Sequence, residues 1–458
     1  MAVSTPADHP RTEPALTFSH PLPASCQWFS RLASVLDRRS APRLALLFLG
    51  AVLARGRRTV TSWIRAAGLR NQFRPCYTAV AAAGKKAETI AASLVLAVVE
   101  PLLGGAERWT LALDDTPTPR YGPHVQGAGV HHNPTPGPAG SPYVYGHVFV
   151  VLGLLATHSA WGVIALPLLA RMYVRKKDLP GIEAKHRPEF RTKRELAVET
   201  LRWAKKWLGL LGKPLWVVVD GAYAKAAFLK PAMSLGMTVV SRLRKDAALR
   251  TVPGPPPPGQ RGRPRIYGKD KINLAKRAGQ RRGWSCDVFD LYGVKTVKRY
   301  KTFLATWRPA GGVIGVVLVD EPTGWRAFFR TDPSASVADI LTAVADRFAL
   351  EIPFRDCKEI VGAGQQQVRF VWANVGAFHV CLWTFTMTEA WAWHRDAGEL
   401  ADRSDSPWDS PLRRPSHADK RRAWRRALLG EEIRAVLRPG VTEAEIQATA
   451  ERLLSLAA

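Results

Sequence analysis

Two acidic positions stand where apolar runs end. In Leu111-Ala112-Leu113-Asp114-Asp115-Thr116 and in Trp216-Val217-Val218-Val219-Asp220-Gly221, a carboxylate closes a stretch that reads as a buried strand. Burying such a charge is costly unless a cation or hydrogen bonds meet it, and in open α/β sheets the strand ends are where ligands bind. Carboxylates that converge repel one another, and hard divalent cations with a preference for oxygen relieve the repulsion. Two magnesium ions, for which manganese could substitute, roughly 3.5 to 4 Å apart would clamp both the attacking and the leaving oxygen of a phosphodiester displacement. The competing reading is local: Asp115-Thr116 and Asp220-Gly221 would also serve as helix caps or turns.

A third acid has basic company. Glu351 follows Arg347 by four residues and precedes Arg355 and Lys358 by four and seven. On a helix this spacing sets one acid among bases on about one face. Such a face can hold a metal through the acid and grip DNA phosphates through the cations, although a surface ladder of ion pairs has the same spacing. Pro353 lacks an amide proton and disfavours helical geometry at Ile352, so a break is expected near Glu351, with Pro353 opening the next helix. Glu359 is the alternative acid if the register differs.

The elements that must position these acids follow from periodicity and punctuation. Helices are expected over 41–55, 59–67 and 79–103. Arg55, Arg57, Arg58, Arg65, Arg70 and Arg74 flank a short helix, glycine, helix sequence, compatible with a helix-turn-helix and equally with a plain small bundle. Strands follow at 109–113, at 143–155 with 163–169, and at 215–219. A helix over 223–235 and a strand over 237–241 complete a βαβ unit. The uncharged stretch 148–170 is long enough to suggest a membrane span, but the turn-forming residues from Thr157 to Gly162 divide it into two buried strands. A Pro/Gly/Arg linker over 251–269 introduces antiparallel strands at 286–292, 295–307, 312–319 and 325–330. Ser336 with Asp339 then marks a helix start.

Composition narrows the partners. The 458 residues include 66 Lys and Arg against 38 Asp and Glu, a net charge of +28, with 47% hydrophobic residues. That apolar content excludes a disordered polycation. The charge excess repels itself unless a polyanion offsets it, which points first to nucleic acid. Five dispersed cysteines with no C-x-x-C pair argue against a disulfide framework or zinc knuckle, and against an oxidising compartment. The N-terminal residues lack a secretory pattern, so a cytoplasmic, nucleoid-associated protein without membrane contact is expected. The basic residues between Arg413 and Arg426, with Trp424 among them, suit either a solvated face or phosphate contact. Arg261-Gly262-Arg263-Pro264-Arg265 has the form of an AT-hook core, in which Arg261 and Arg263 would enter a narrow minor groove; a solvated basic linker reads the same way. His131, His132 and His147 match no metal-ligand spacing and are expected to be structural or DNA-facing.

The segments LDDT, VVVDGAY and R-x-x-x-E-I-P-F-R-D-C-K, in that order and with a β-type insertion before the last, resemble the insertion-sequence DDE transposases that carry a Y-R-E-K signature, over most of residues 105–395. The resemblance implies an α/β fold with a ribonuclease-H-like core. It matches Asp114, Asp220 and Glu351 to the metal-binding catalytic triad, and Arg347 and Lys358 to the signature's basic residues. It prefers Asp114 because the family's first acid precedes a Thr or Ser by two positions, here Thr116; Asp115 is the alternative. The signature Tyr is missing, since Val344 occupies its place. Five regions are expected: a helical basic DNA-binding region over 1–105, the core over 106–250, the linker and β-rich insertion over 251–332, the remainder of the core with Glu351 over 333–395, and a basic helical region over 396–458. The implied activity is metal-dependent cleavage of double-stranded DNA at element ends and transfer of the freed 3′-hydroxyl to target DNA. The resemblance also implies a hairpin intermediate and a dimer on paired ends. The alternatives are a magnesium-dependent nuclease without strand transfer and an inactive, transposase-derived DNA-binding protein.

Overall fold

The computed structural model describes residues 26–133, 140–255, 262–404 and 406–457. Its strands are β1 (Trp109–Pro119), β2 (Gly129–His132), β3 (Tyr143–His158), β4 (Gly162–Tyr173), β5 (Leu215–Val219), β6 (Thr238–Leu243), β7 (Leu249–Arg250), β8 (Lys271–Ile272), β9 (Ser285–Leu291), β10 (Val294–Trp307), β11 (Gly312–Asp320) and β12 (Arg326–Arg330). The helices are α1 (Gln27–Ala33), α2 (Ser40–Leu53), α3 (Val60–Ala66), α4 (Phe73–Lys85), α5 (Ala87–Leu94), α6 (Glu100–Leu103), α7 (Lys193–Leu208), α8 (Ala226–Ser234), α9 (Leu274–Gly279), α10 (Val337–Arg347), α11 (Glu351–Asp356), α12 (Val371–Ala392), α13 (Ala397–Leu400), α14 (His417–Val436) and α15 (Glu443–Ala457).

One mixed sheet runs β2-β3-β1-β5-β6-β12-β11-β10-β7-β8, with β4 added to β3 and β9 to β10. Its centre joins the antiparallel set β4-β3-β1 to the parallel set β1-β5-β6. This α/β arrangement, with helical regions before and after it, is compatible with a ribonuclease-H-like core. β5 is buried at every residue, as a parallel strand covered on both faces must be. The uncharged stretch 148–170 forms the β3–β4 hairpin, and no helix among the described residues is long and apolar enough to cross a membrane. The strands from β9 to β12 pair antiparallel in sequence order, and β12 bonds to β6, so they extend the central sheet.

Alternation along the strands divides the sheet into two faces. Leu111 and Leu113 of β1 lie in the large core with α7, α8 and α12. Ala112 packs instead with Leu350, and Trp216, Val218 and Val240 pack with Ile340 and Leu341 of α10. α10 has a capping box between Ser336 and Asp339 at its start. The β9–β10 hairpin lies across it through Phe289 and Leu291, with the half-buried Val344 beside them.

On the opposite face, α12 packs against α2, α4, β4 and α14. It is buried on nearly every side and has no polar stripe, its few polar side chains being buried too. Its crossing with α4 is made by two glycines: a Cβ on Gly84 would stand 2.1 Å from the Trp372 carbonyl oxygen, and one on Gly376 would stand 1.8 Å from that of Val80. α14 joins the N-terminal bundle through Trp424, whose ring lies 5.4 Å from that of Phe29.

Candidate active site

The parallel register of β1 and β5 sets Leu113 beside Val219, so the next residues, Asp114 and Asp220, emerge side by side at one edge of the strand pair. Asp114 shares the face of Ala112, and Asp220 follows the parity of Trp216 and Val218. Asp114 therefore addresses the layer that contains α10 and α11, and the Asp220 charge acts on it from the turn after β5. From the last turn of α10, Arg347 Nη1 donates to Asp114 Oδ2 at 2.9 Å, while its Nη2 lies 4.0 Å from Glu351 Oε1. Asp114 Oδ1 also accepts the Asp115 amide at 2.8 Å. Burial pushes the Asp114 carboxyl up to about 6, assisted by the negative charges of Asp115 and Asp220 and opposed by Arg347. Mutual repulsion between carboxylates is thus present where the β1–β5 pairing ends, midway along β1.

Asp115 points to the other face and is fully engaged there. Lys193 Nζ lies 2.5 Å from its Oδ2, and the Tyr223 hydroxyl donates to its Oδ1 at 3.1 Å. Lys193 is the first residue of α7, fixed by the capping box between Thr192 and Glu195. Burial and then the Asp115 and Asp114 carboxylates push the Tyr223 phenol far above its ordinary range, so it remains a donor. Neither Lys193 nor this use of Tyr223 was foreseen. The capping box placed Lys193 at a helix start, but its pairing across 78 residues had no local signal.

Glu351 opens α11 immediately after the 3-10 turn Phe348–Leu350. The helix break thus lies next to Glu351, as expected, but Glu351 rather than Pro353 opens the next helix. Pro353 is the third residue of α11, where a missing amide proton leaves no intrahelical bond unmade. The Glu351 side chain is 60% exposed. Arg347 links it to Asp114, and among the described residues no group of three or more His, Cys, Asp or Glu is gathered closely enough to hold a metal ion. The donor chemistry of Asp114 and Asp220 nevertheless suits a hard dication, being all oxygen and mutually repulsive.

Arg355 is exposed and paired with Asp356 at 2.8 Å. Lys358 is half-buried in a π turn, Cys357–Val361, with its ammonium pKa lowered by burial, and Glu359 is exposed in the same turn. Arg263 is exposed, whereas Arg261 lies outside the described residues. His147 is wholly buried, with Nδ1 accepting from Arg120 Nε at 3.1 Å and Nε2 donating to the Gln126 carbonyl at 3.0 Å. Burial and Arg120 depress its pKa to about 3, which makes it a neutral structural residue. His131 is buried too, and His132 is exposed. The five cysteines are free thiols.

No curated protein matches the chain significantly. A family profile described as DDE superfamily endonuclease matches residues 31–308, more than half of the chain, and includes Asp114 and Asp220 but ends before Glu351. With this match across the bundle and core, the chain belongs to the DDE superfamily of endonucleases.

Proposed function

We propose that this DDE-family endonuclease is the transposase of an insertion sequence, cutting double-stranded DNA at the element's terminal inverted repeats and joining the freed ends to target DNA. The observation that supports this reading is that Arg347 links Asp114 to Glu351 while the Asp220 charge acts on Asp114. Asp114, Asp220 and Glu351 are the acids assigned to hold two divalent ions, magnesium or manganese. Such ions, when bound, supply Lewis-acid stabilisation to the attacking and leaving oxygens of the phosphodiester.

Arg347 pairs with Asp114, and its release toward phosphate would free the carboxylate and let Glu351 approach. Lys193 and Tyr223 keep Asp115 on the opposite face, which supports Asp114 as the first acid. Arg355 and Lys358 lie beyond Glu351 on the same helical run and would hold phosphates. Arg263 and the adjoining Arg261 fall in a basic linker suited to backbone contact. A dimer on paired ends within the nucleoid, and a hairpin intermediate, complete the proposed pathway.

The test is excision from a plasmid carrying the sequences that flank the gene, with magnesium and target DNA. The wild-type chain is expected to release the element and join it to target. Asp220→Ala is expected to bind ends and release nothing. Cutting without joining would make it a nuclease; undiminished excision by Asp220→Ala would reject the assigned acids.

A further inference from the structure

The basic run from Arg413 to Arg426 divides in two by its partners. Arg413 pairs with Asp409 and Asp419, Lys420 with Glu389, Arg422 with Asp419 and Arg426 with Asp402. Arg414 bonds the Trp161 carbonyl. Arg421 and Arg425 pair with no carboxylate among the described residues, and they stand four apart, on one face of α14. Like charges at that spacing weaken a helix, so α14 itself gains nothing from them.

Arg421 shows where that face leads. It is buried, and its Nη2 donates to the carbonyls of Ala51 at 3.0 Å and Ala54 at 2.6 Å, at the C-terminal end of α2. The negative end of the α2 dipole accounts for this one cation. The chain continues from there into Arg55-Gly56-Arg57-Arg58, the turn that joins α2 to α3. Arg55 and Arg57 are exposed and make no side-chain bond among the described residues, while Arg58 is half-buried, its amide held by Gln365 Oε1 at 2.8 Å. Arg425, one turn beyond Arg421, is half-buried and donates to the Leu456 carbonyl of α15 at 3.1 Å. Burial and then Arg58 and Arg425 push the Arg421 guanidinium down to about 9, and Arg55 acts on Arg425 in the same direction. The fold thus gathers guanidiniums from both ends of the chain along one seam and places no carboxylate in ion-pair range of them among the described residues. Such self-repulsion is offset by a polyanion. Guanidinium forks fit phosphate oxygens, and duplex DNA presents phosphates as a closely spaced row.

We propose that α14, through Arg425 together with Arg55, Arg57 and Arg58 of the α2–α3 turn, holds backbone phosphates of duplex DNA, which makes the C-terminal region part of the DNA-binding surface. Arg421 is the positioning residue that locks α14 to this turn. The partner is taken from the DNA-cutting reading, but the test needs no cutting. The probe is a fluorescent 30-base-pair duplex of arbitrary sequence, titrated with the full chain without metal, by anisotropy, at several salt concentrations. Arg55→Ala and Arg425→Ala are each expected to weaken binding about five- to tenfold at 100 mM salt and to reduce the slope of log affinity against log salt by about 0.9. Arg425→Lys should retain the slope. Arg422→Ala removes the same charge from the same helix, but from a base already paired with Asp419, and should bind within about twofold of the wild type. Because Arg55 is exposed and unbonded, Arg55→Ala should melt no lower than the wild type, which separates contact from folding. Asp220→Ala should bind as the wild type does, so a chain that never cuts DNA leaves the result interpretable. Unchanged affinity and slope in Arg55→Ala and Arg425→Ala, or an equal loss in Arg422→Ala, would overturn the seam as a phosphate contact.

Discussion

Asp114 and Asp115 are adjacent in the chain and opposite in surroundings. Asp115 is satisfied by Lys193 and Tyr223, whereas Asp114 has Arg347 and the Asp115 amide against burial and two neighbouring carboxylates. A carboxyl raised to about 6 on folding opposes stability above that pH, and the opposition fades as pH falls through 6 toward the unfolded value of 3.8. Asp114→Asn should therefore stabilise the chain by about 1–3 kcal/mol at pH 8, with no gain at pH 4, in urea unfolding; equal effects at both would contradict the assigned burial. Cleavage that needs the ionised form should fall as pH drops through about 6. Arg347→Gln removes the cation that favours ionisation, so this fall should move to higher pH; a move to lower pH would contradict the pairing. Asp114 and Asp220 stand out as candidates because a charge ending an apolar run is conspicuous in a chain so rich in bases. Strand alternation and the partners of Asp115 distinguish Asp114 from it, and those partners come from distant segments. Val344, in the place of a signature tyrosine, is explained by packing under the β9–β10 hairpin, which no local pattern around it announced.

Secondary structure was most readable where one signal dominated. The run at 215–219 is β5 to the residue, and the hairpin within 148–170 was marked by its turn chemistry. α12 was not readable in the same way, because a helix buried on every side has no polar stripe to set a period. Its partners fill the signal's place in the structure. Gly376 and Gly84 allow α12 and α4 to approach backbone to backbone, so Gly376→Ala should push the helices apart and cost about 3 kcal/mol in denaturant unfolding. A neutral substitution would contradict the close crossing. α12 is also tied to α14 by Glu389, which bonds buried Lys420 and His417. Burial alone would raise the Glu389 pKa, but Lys420 and His417 outweigh it and hold the carboxyl at about 2. Its stabilising contribution is therefore complete above the unfolded value of 4.5 and lost as pH falls toward 2. Glu389→Ala leaves the Lys420 charge buried without its partner and should cost about 3–5 kcal/mol at neutral pH; a loss below 1 kcal/mol would contradict the buried pairing.

Across the whole molecule, the +28 charge and the mixed sheet serve different tasks. The sheet carries Asp114, which Arg347 links to Glu351 of α11, and the excess of bases suits phosphate. DNA binding should consequently weaken steeply as salt rises from 50 to 200 mM, and a flat response would remove phosphate contact as the source of affinity. The association of Asp114, Asp220 and Glu351 as one ion-binding set is the claim on which the enzymatic account depends. Its most direct test is a titration of manganese into the full chain bound to duplex DNA, followed by electron paramagnetic resonance, with Asp114→Asn, Asp220→Asn and Glu351→Gln in parallel. The account predicts two bound ions in the wild type and loss of at least one in each variant. Binding of the same number of ions, with the same affinity, in all four proteins would contradict it.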